Sequence, residues 1–346
     1  MESFPIRETC RIYPYSPSLS GQELNGLSTL KAVGGGPPAG WAGNRFRMLG
    51  KDIVKNRYLY LLLLPGLIYF IIFKYLPMYG VVIAFQDYNM IRGISGSEWV
   101  GFQQFERLFR TSTFQQIFLN TFLISFYKLV FGFPAPIVLA LLLNEIRHRV
   151  FKRVTQSIMY LPHFVSWVIF SGIIITFLNP VDGLANYMIQ RFGGEPVHFL
   201  ISKEFFRSIL VISDIYKGIG WGTIIYLAAI SGVNLELYEA ARMDGANRFR
   251  QTWHVTLPAI RPVVFIMLIL SLGGILEAGF EQIYLLYSPL VYEVADVIDT
   301  YVFRMGIQRA NYSLATAAGL FKSVIGLIFI VGANAIVKKF GEDGLW

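Results

Sequence analysis

Residues 120–143 read NTFLISFYKLVFGFPAPIVLALLL, a run in which Lys128 is the single charged residue. A helix of this length spans a hydrocarbon core of roughly 30 Å. Its apolar residues form a continuous block without amphipathic spacing, so a surface helix is excluded. A barrel strand would be shorter and would alternate in polarity. In lipid every backbone N–H and C=O needs an internal partner, and a helix supplies it.

Similar blocks lie on both sides: 59–85, 155–178, 205–230, 262–287 and 314–337, each bounded by polar residues, Gly or Pro. The first is interrupted by Pro65 and by Lys74-Tyr75-Leu76-Pro77, and a polar stretch with Trp99, Phe102, Phe105 and Phe109 follows it. The blocks predict an all-α membrane protein, a bundle of six spanning helices. The whole chain agrees: 54% of its 346 residues are apolar and 15% charged, against about a quarter charged in soluble domains.

The formal charge of +8 has two sources to choose between, nucleic acid and membrane topology. Arg45, Arg47, Lys51, Lys55 and Arg57 precede the first span, and Arg147, Arg149, Lys152 and Arg153 separate the second from the third. Arg242, Arg248, Arg250 and Arg261 separate the fourth from the fifth, and Lys338 and Lys339 follow the sixth. With six spans these all fall on one side, so both termini are expected to be cytoplasmic and no nucleic acid is needed. Cys10 is the only cysteine, and His148, His163, His198 and His254 lack metal-ligand spacing, so no metal site is expected.

Four regions follow. Residues 1–55, rich in Gly, Pro and Ser, are expected to be a disordered cytoplasmic tail without the apolar core of a signal peptide. Residues 56–118 hold the first span and an external segment. Residues 119–337 hold five helices and a cytoplasmic loop at 235–262, and 338–346 form a short cytoplasmic tail.

That loop carries Glu239-Ala240-Ala241-Arg242-Met243-Asp244-Gly245-Ala246 and ends in Val255-Thr256-Leu257-Pro258. Glu239 to Met243 are good helix formers, Gly245 suits a C-terminal stop, and Leu257-Pro258 is expected to begin a new element. A short helix standing off the membrane here is suited to docking into another protein. The alternative is a basic amphipathic loop lying on lipid.

The series Glu-Ala-Ala, three residues, Gly, nine residues, an aliphatic residue, one residue, Leu-Pro resembles the cytoplasmic loop of ABC-importer permeases, with Val255 in the usual Ile position. Leu76-Pro77-Met78-Tyr79-Gly80, Asn120-Thr121, Tyr160-Leu161-Pro162, Gly279-Phe280-Glu281-Gln282 and Asp299-Thr300-Tyr301 are similar to segments of permeases for multiple sugars and complex oligosaccharides. The likeness runs from about Lys55 to the C-terminus. It implies a type I importer fold and a loop helix seated in a separate ATPase subunit. It also implies a second, related permease subunit and an extracytoplasmic solute-binding protein. Under it Glu239 makes a charged contact, Ala240 and Ala241 permit close approach, and Gly245 allows the turn, with Asp244, Val255, Leu257 and Pro258 completing the coupling element. The chain itself has no phosphate-binding loop and is expected to bind no cofactor, the ATP being used by the partner. Ser18-Leu19-Ser20-Gly21-Gln22 only superficially resembles an ATPase signature.

Ionisable groups within spans should face the bundle, a wet cavity or one another. Lys74, Lys128, Asp214, Lys217, Glu277, Glu281 and Lys322 are the ones here. Asp214 and Lys217, three apart, are expected to pair on one helix face, whereas Glu277 and Glu281, four apart, would repel on one face. Asp214, Lys217, Glu277, Glu281, Gln282 and Tyr284 are the candidate pathway residues, the last three joining hydrogen-bonding groups to an aromatic as a sugar requires. Lys128 and Lys322 are each suited to an anionic sugar such as a uronate, or to a backbone carbonyl. Outward segments 87–118, 181–204 and 288–313 are expected to form docking surfaces and an aromatic belt at the lipid boundary. Two other functions compete with the ATP-driven permease: an ion-coupled carrier using Asp214 and Glu281, and a membrane enzyme acting on lipid-linked sugars.

Overall fold

The computed structural model describes residues 55–339. The expected tail up to residue 54, with Cys10 and Ser18 to Gln22, and residues 340–346 of the expected C-terminal tail lie outside the described residues. The chain divides after Lys74 into two units. In the first, α1 (Arg57–Phe70) contains Pro65 and buries none of its side chains.

The second unit holds α2 (Ser112–Gly132), α3 (Pro134–Glu145), α4 (Arg149–Phe164), α5 (Trp167–Phe177), α6 (Lys203–Ser231), α7 (Leu235–Met243), α8 (Leu257–Gly273), α9 (Phe280–Leu286), α10 (Ile298–Phe303) and α11 (Tyr312–Lys339). A short antiparallel ladder pairs Gln86 with Trp99 and Asp87 with Glu98. Among the described residues five helical runs are long and apolar enough to cross a membrane: Arg57–Phe85, Ser112–Glu145, Lys203–Ser231, Arg248–Gly273 and Tyr312–Lys339. The bent pair α4–α5 makes a sixth if it is counted as one span. Large apolar side chains such as Leu142, Ile169 and Leu327 are more than half exposed along these helices, as lipid contact requires.

Helix α6 packs against α2, α3, α4 and α8. Near its start, Phe206 and Leu210 join Ile124 of α2 and Ala278, Ile283, Val291, Ala295 and Val297. Near its end, Tyr226 and Ile230 join Ala140 of α3 and Ile260 of α8. The close approach of α6 to α4 depends on Gly220, where a Cβ would lie 1.9 Å from the Met159 carbonyl oxygen.

Three elements differ from the sequence expectation. The block 155–178 is not one straight helix: α4 and α5 meet at 102°. Residues 165 and 166 are extended there, and the Ser166 hydroxyl accepts from the Ile169 N–H to start α5. The block 262–287 is also divided. Its helix begins earlier, at Arg248, and stops at Gly273, and α9 resumes after Gly279, whose φ of +92° is left-handed. Finally, Leu257 is helical although it precedes proline. A π-helical turn over Thr252–Thr256 widens the backbone just ahead of Pro258, so a residue without an N–H is carried inside one rod.

Candidate functional site

Helix α7 is built as a free-standing element. The Asn234 side chain accepts from the Glu236 N–H at 3.0 Å, and Glu236 and Arg242 sit at the ends where the helix dipole favours their charges. At the other end Ala246 N–H donates to Ala241 O at 2.9 Å and Gly245 N–H to Arg242 O at 3.0 Å, with Gly245 at φ +77°. This pair of bonds around a left-handed glycine closes the helix and turns the chain toward Asn247, whose side chain caps the next turn through the Arg250 N–H.

No residue of α7 is buried, and Glu239 and Ala240 face solvent. Met243 is 88% exposed, and Phe249 and Trp253 stack with their centroids 6.4 Å apart while remaining mostly exposed. Met243, Phe249 and Trp253 thus leave uncovered an apolar surface of the kind that a partner protein or lipid covers. The exposure of Phe249 and Trp253 is visible only in the structure. Val255 and Leu257 are half-buried, Leu257 packs on the Ala140–Tyr226–Ile230–Ile260 cluster, and Thr256 is buried with a hydrogen bond to Tyr238 at 2.9 Å. The loop therefore divides into a presented half, Glu239 to Gly245, and an anchoring half, Val255 to Pro258.

The charged groups inside the bundle sort differently from expectation. Lys217 does not pair with Asp214. Its Nζ donates to the Val165, His163 and Pro162 carbonyls at 2.6, 2.9 and 3.3 Å and lies 5.4 Å from the Trp167 ring centroid. These are the carbonyls stranded by the α4–α5 bend, so a lysine from α6 satisfies a helix end inside the bundle.

Asp214 instead meets Lys128 of α2 at 3.2 Å, and the Lys128 Nζ also donates to Ala278 O at 2.8 Å and to the Gln282 side chain. The Gln282 amide donates to Leu210 O at 2.8 Å and Ser213 Oγ at 2.7 Å. Ala278 lies in the break between α8 and α9, so this second break is also held by a lysine from a neighbouring helix. Lys322 pairs with Asp299 at 2.6 Å. Neither Lys128 nor Lys322 is left as a lone cation for an anionic sugar.

Lys128, Asp214 and Glu277 line one cavity of about 360 Å³ together with Ser125, Tyr226 and Ser271. Gln282 is fully buried, whereas Glu281 and Tyr284 are exposed outside that cavity's lining. The Gly279 break separates Glu277 from Glu281, so the two do not share a helix face. Tyr284 packs on Phe303 at 5.1 Å and Phe280 at 5.4 Å. Lys74 is exposed in the first unit.

Segment 288–313 is not a free loop. Val291, Ala295, Val297, Ile298 and Thr300 are buried, Asn120 Nδ2 donates to Glu293 O and Asp296 O, and Thr121 Oγ1 accepts from the Ile298 N–H. The Asp296–Arg304 pair is largely buried beside it. Burial works against the Arg304 charge, but the Asp296 hydrogen bond and charge outweigh it and hold the guanidinium above its ordinary pKa.

A helical membrane bundle with a polar seam and an exposed, capped helix between two spans has the parts of a membrane transport component. The chain belongs to the family of binding-protein-dependent transport system inner membrane components, whose model matches residues 132–342. It is a multi-pass protein of the inner membrane. Two relatives from Bacillus subtilis (strain 168) are half identical. The polygalacturonan/rhamnogalacturonan transport system permease protein YteP is 50% identical over 302 residues, 87% of this chain and 94% of the relative. Protein LplB is 51% identical over 292 residues, 84% and 92% of the two chains. Among solved structures, a chain of a bacterial alginate ABC transporter in complex with an alginate pentasaccharide-bound periplasmic protein superposes with a TM-score of 0.79. It is 43% identical, over 85% of this chain and 99% of that one. Membership of this family decides for an ATP-driven permease over the ion-coupled carrier.

Proposed function

We propose that the chain is the permease subunit of an ABC importer for an acidic oligosaccharide of the uronate class. The carrying observation is the 50% identity to the polygalacturonan/rhamnogalacturonan permease, over 94% of that relative. A second acidic polymer points the same way: a solved transporter involved in the import of the acidic polysaccharide alginate is 44% identical, over 99% of its chain. The arabinooligosaccharide permease AraP of B. subtilis, by contrast, is 27% identical.

On this reading the bundle has six spans with both termini cytoplasmic, the α4–α5 pair counting as one, and residues 235–262 lie on the cytoplasmic side. Glu239, Ala240, Ala241, Asp244 and Gly245 present α7 to a separate ATPase subunit, and Val255, Leu257 and Pro258 hold the loop to the bundle. Asp214 and Glu277, lining the cavity beside Lys128, are the pathway candidates that the geometry favours; Lys217 is the structural cap of the bend. A related second permease and an extracytoplasmic solute-binding protein complete the assembly. The chain itself binds no cofactor and hydrolyses no ATP.

The test is ATP hydrolysis by the complete transporter in proteoliposomes, with its solute-binding protein loaded in turn with oligogalacturonate and with neutral arabino-oligosaccharide. Stimulation by the acidic sugar alone is the expected result. Stimulation by the neutral sugar alone overturns the acidic assignment.

A further inference from the structure

Helix α7 and the turn after it are joined to the bundle sparsely. Among the described residues, the one ion pair or side-chain hydrogen bond from residues 234–256 to another span is Arg248 Nη1 to Glu145 Oε2, at 2.6 Å. Arg248 opens the rod that continues through the π-turn into α8, and Glu145 is the last residue of α3. Beside this bridge lies a cavity of about 950 Å³, lined by Glu145, Arg147, Tyr238, Arg242, Arg248 and Thr252 among others. The loop thus stands over open space, with its polar crossing at one point.

Both side chains of the pair are about half exposed, so its contribution to stability is small. Its position matters more than its energy. A push on α7 passes through the turn at residues 244–247 to Arg248, and from there reaches α8 along one rod, Arg248–Gly273. It reaches α3 by two routes: the apolar cluster that Leu257 and Ile260 share with Ala140, Tyr226 and Ile230, deeper in the bundle, and the Arg248–Glu145 bridge at the loop itself. A bridge at the loop acts with the longer lever arm on the end of α3.

We infer that the Glu145–Arg248 pair is a positioning device in ATP coupling: it ties the end of α3 to the α8 rod, so that the two spans move as one body when the ATPase acts on α7. This rests on the reading of α7 as the ATPase-docking helix, and its test uses no sugar, so it fails independently of the substrate assignment.

The experiment uses the complete transporter in nanodiscs, with the single cysteine, Cys10, replaced by serine. Spin labels are placed at Leu142→Cys on α3 and Ile266→Cys on α8, both exposed positions. The inter-label distance is measured without nucleotide and after trapping with ATP and vanadate, and trapped nucleotide per complex is counted in every variant. In the parent protein the distance should be the same in both states. In Glu145→Gln and in Arg248→Gln it should broaden or shift on trapping, with trapped nucleotide unchanged. The exchanged pair E145R/R248E should restore the parent behaviour. A parent distance that changes on trapping, single variants that keep the parent distance, or an exchanged pair that does not restore it would each overturn the inference. So would single variants that trap no nucleotide, since the pair would then serve assembly.

Discussion

Replacing Gly279 by alanine should damage this protein more than its single methyl group suggests. Two separate effects act at this position. The backbone φ is +92°, outside the region that a residue with a Cβ adopts without strain, and a Cβ there would stand 2.9 Å from the Lys128 Nζ. The conformational cost is about 1–2 kcal/mol. Moving Lys128 off the Ala278 carbonyl forfeits an interhelical hydrogen bond worth roughly 0.6–1.7 kcal/mol within a membrane bundle. Together these predict a loss of about 2–4 kcal/mol. The comparison variant is Gly172→Ala in α5, where nothing lies within 4 Å of the new Cβ and the backbone is helical, so a gain of about 0.5–1 kcal/mol is expected. Unfolding on titration from dodecyl maltoside into SDS, followed by tryptophan fluorescence, gives both numbers on one scale. A Gly279→Ala protein within about 0.5 kcal/mol of the parent, or equal to Gly172→Ala, would refute the idea that Lys128 closes the α8–α9 break.

Two other positions give sharp expectations. Lys217→Met strips the donor from the carbonyls of Pro162, His163 and Val165, and should lower stability by about 1–3 kcal/mol in the same titration; an unchanged midpoint would show that the bend does not need its cap. Gly220→Ala drives a Cβ into the Met159 carbonyl, so the yield of monodisperse protein on gel filtration should collapse, whereas Gly218→Ala, with nothing within 4 Å, should behave as the parent.

Much of this architecture is legible in the sequence because hydrophobic blocks are set by lipid thickness, which acts on each span alone. The α6 block and the α11 block are found within a few residues of where composition places them. The C-terminal end of α7 is legible too, since Gly245 acts on its own neighbours in the chain, whereas the Asn234 cap at the other end is seen in the structure alone. What escapes is whatever depends on a residue from another helix. Asp214 and Lys217 look like partners at helical spacing, yet Lys217 is turned to a bend in α4–α5 and Asp214 to Lys128, residues distant in sequence. The breaks sit inside blocks that average hydropathy joins, although Pro162, His163 and Ser166 mark the first and Gly274, Glu277 and Gly279 the second, and lysines from neighbouring helices satisfy carbonyls exposed there. Segment 288–313 escaped for a related reason. Its Asp296 and Arg304 neutralise each other, and the apolar residues between them enter the core.

The presentation of α7 to an ATPase is the central claim, and co-purification measures it most directly. The tagged chain would be extracted from its own membranes together with the proposed second permease, and the ATPase retained per permease counted for the parent, Glu239→Arg and Gly245→Val. Gly245→Val sets a β-branched residue at φ +77°, which disturbs the end of α7 without touching a span. The account predicts a stoichiometric ATPase on the parent and its loss, by about tenfold or more, from both variants while the two permeases stay together. An ATPase that remains bound to both variants, or a parent that binds none, would contradict it.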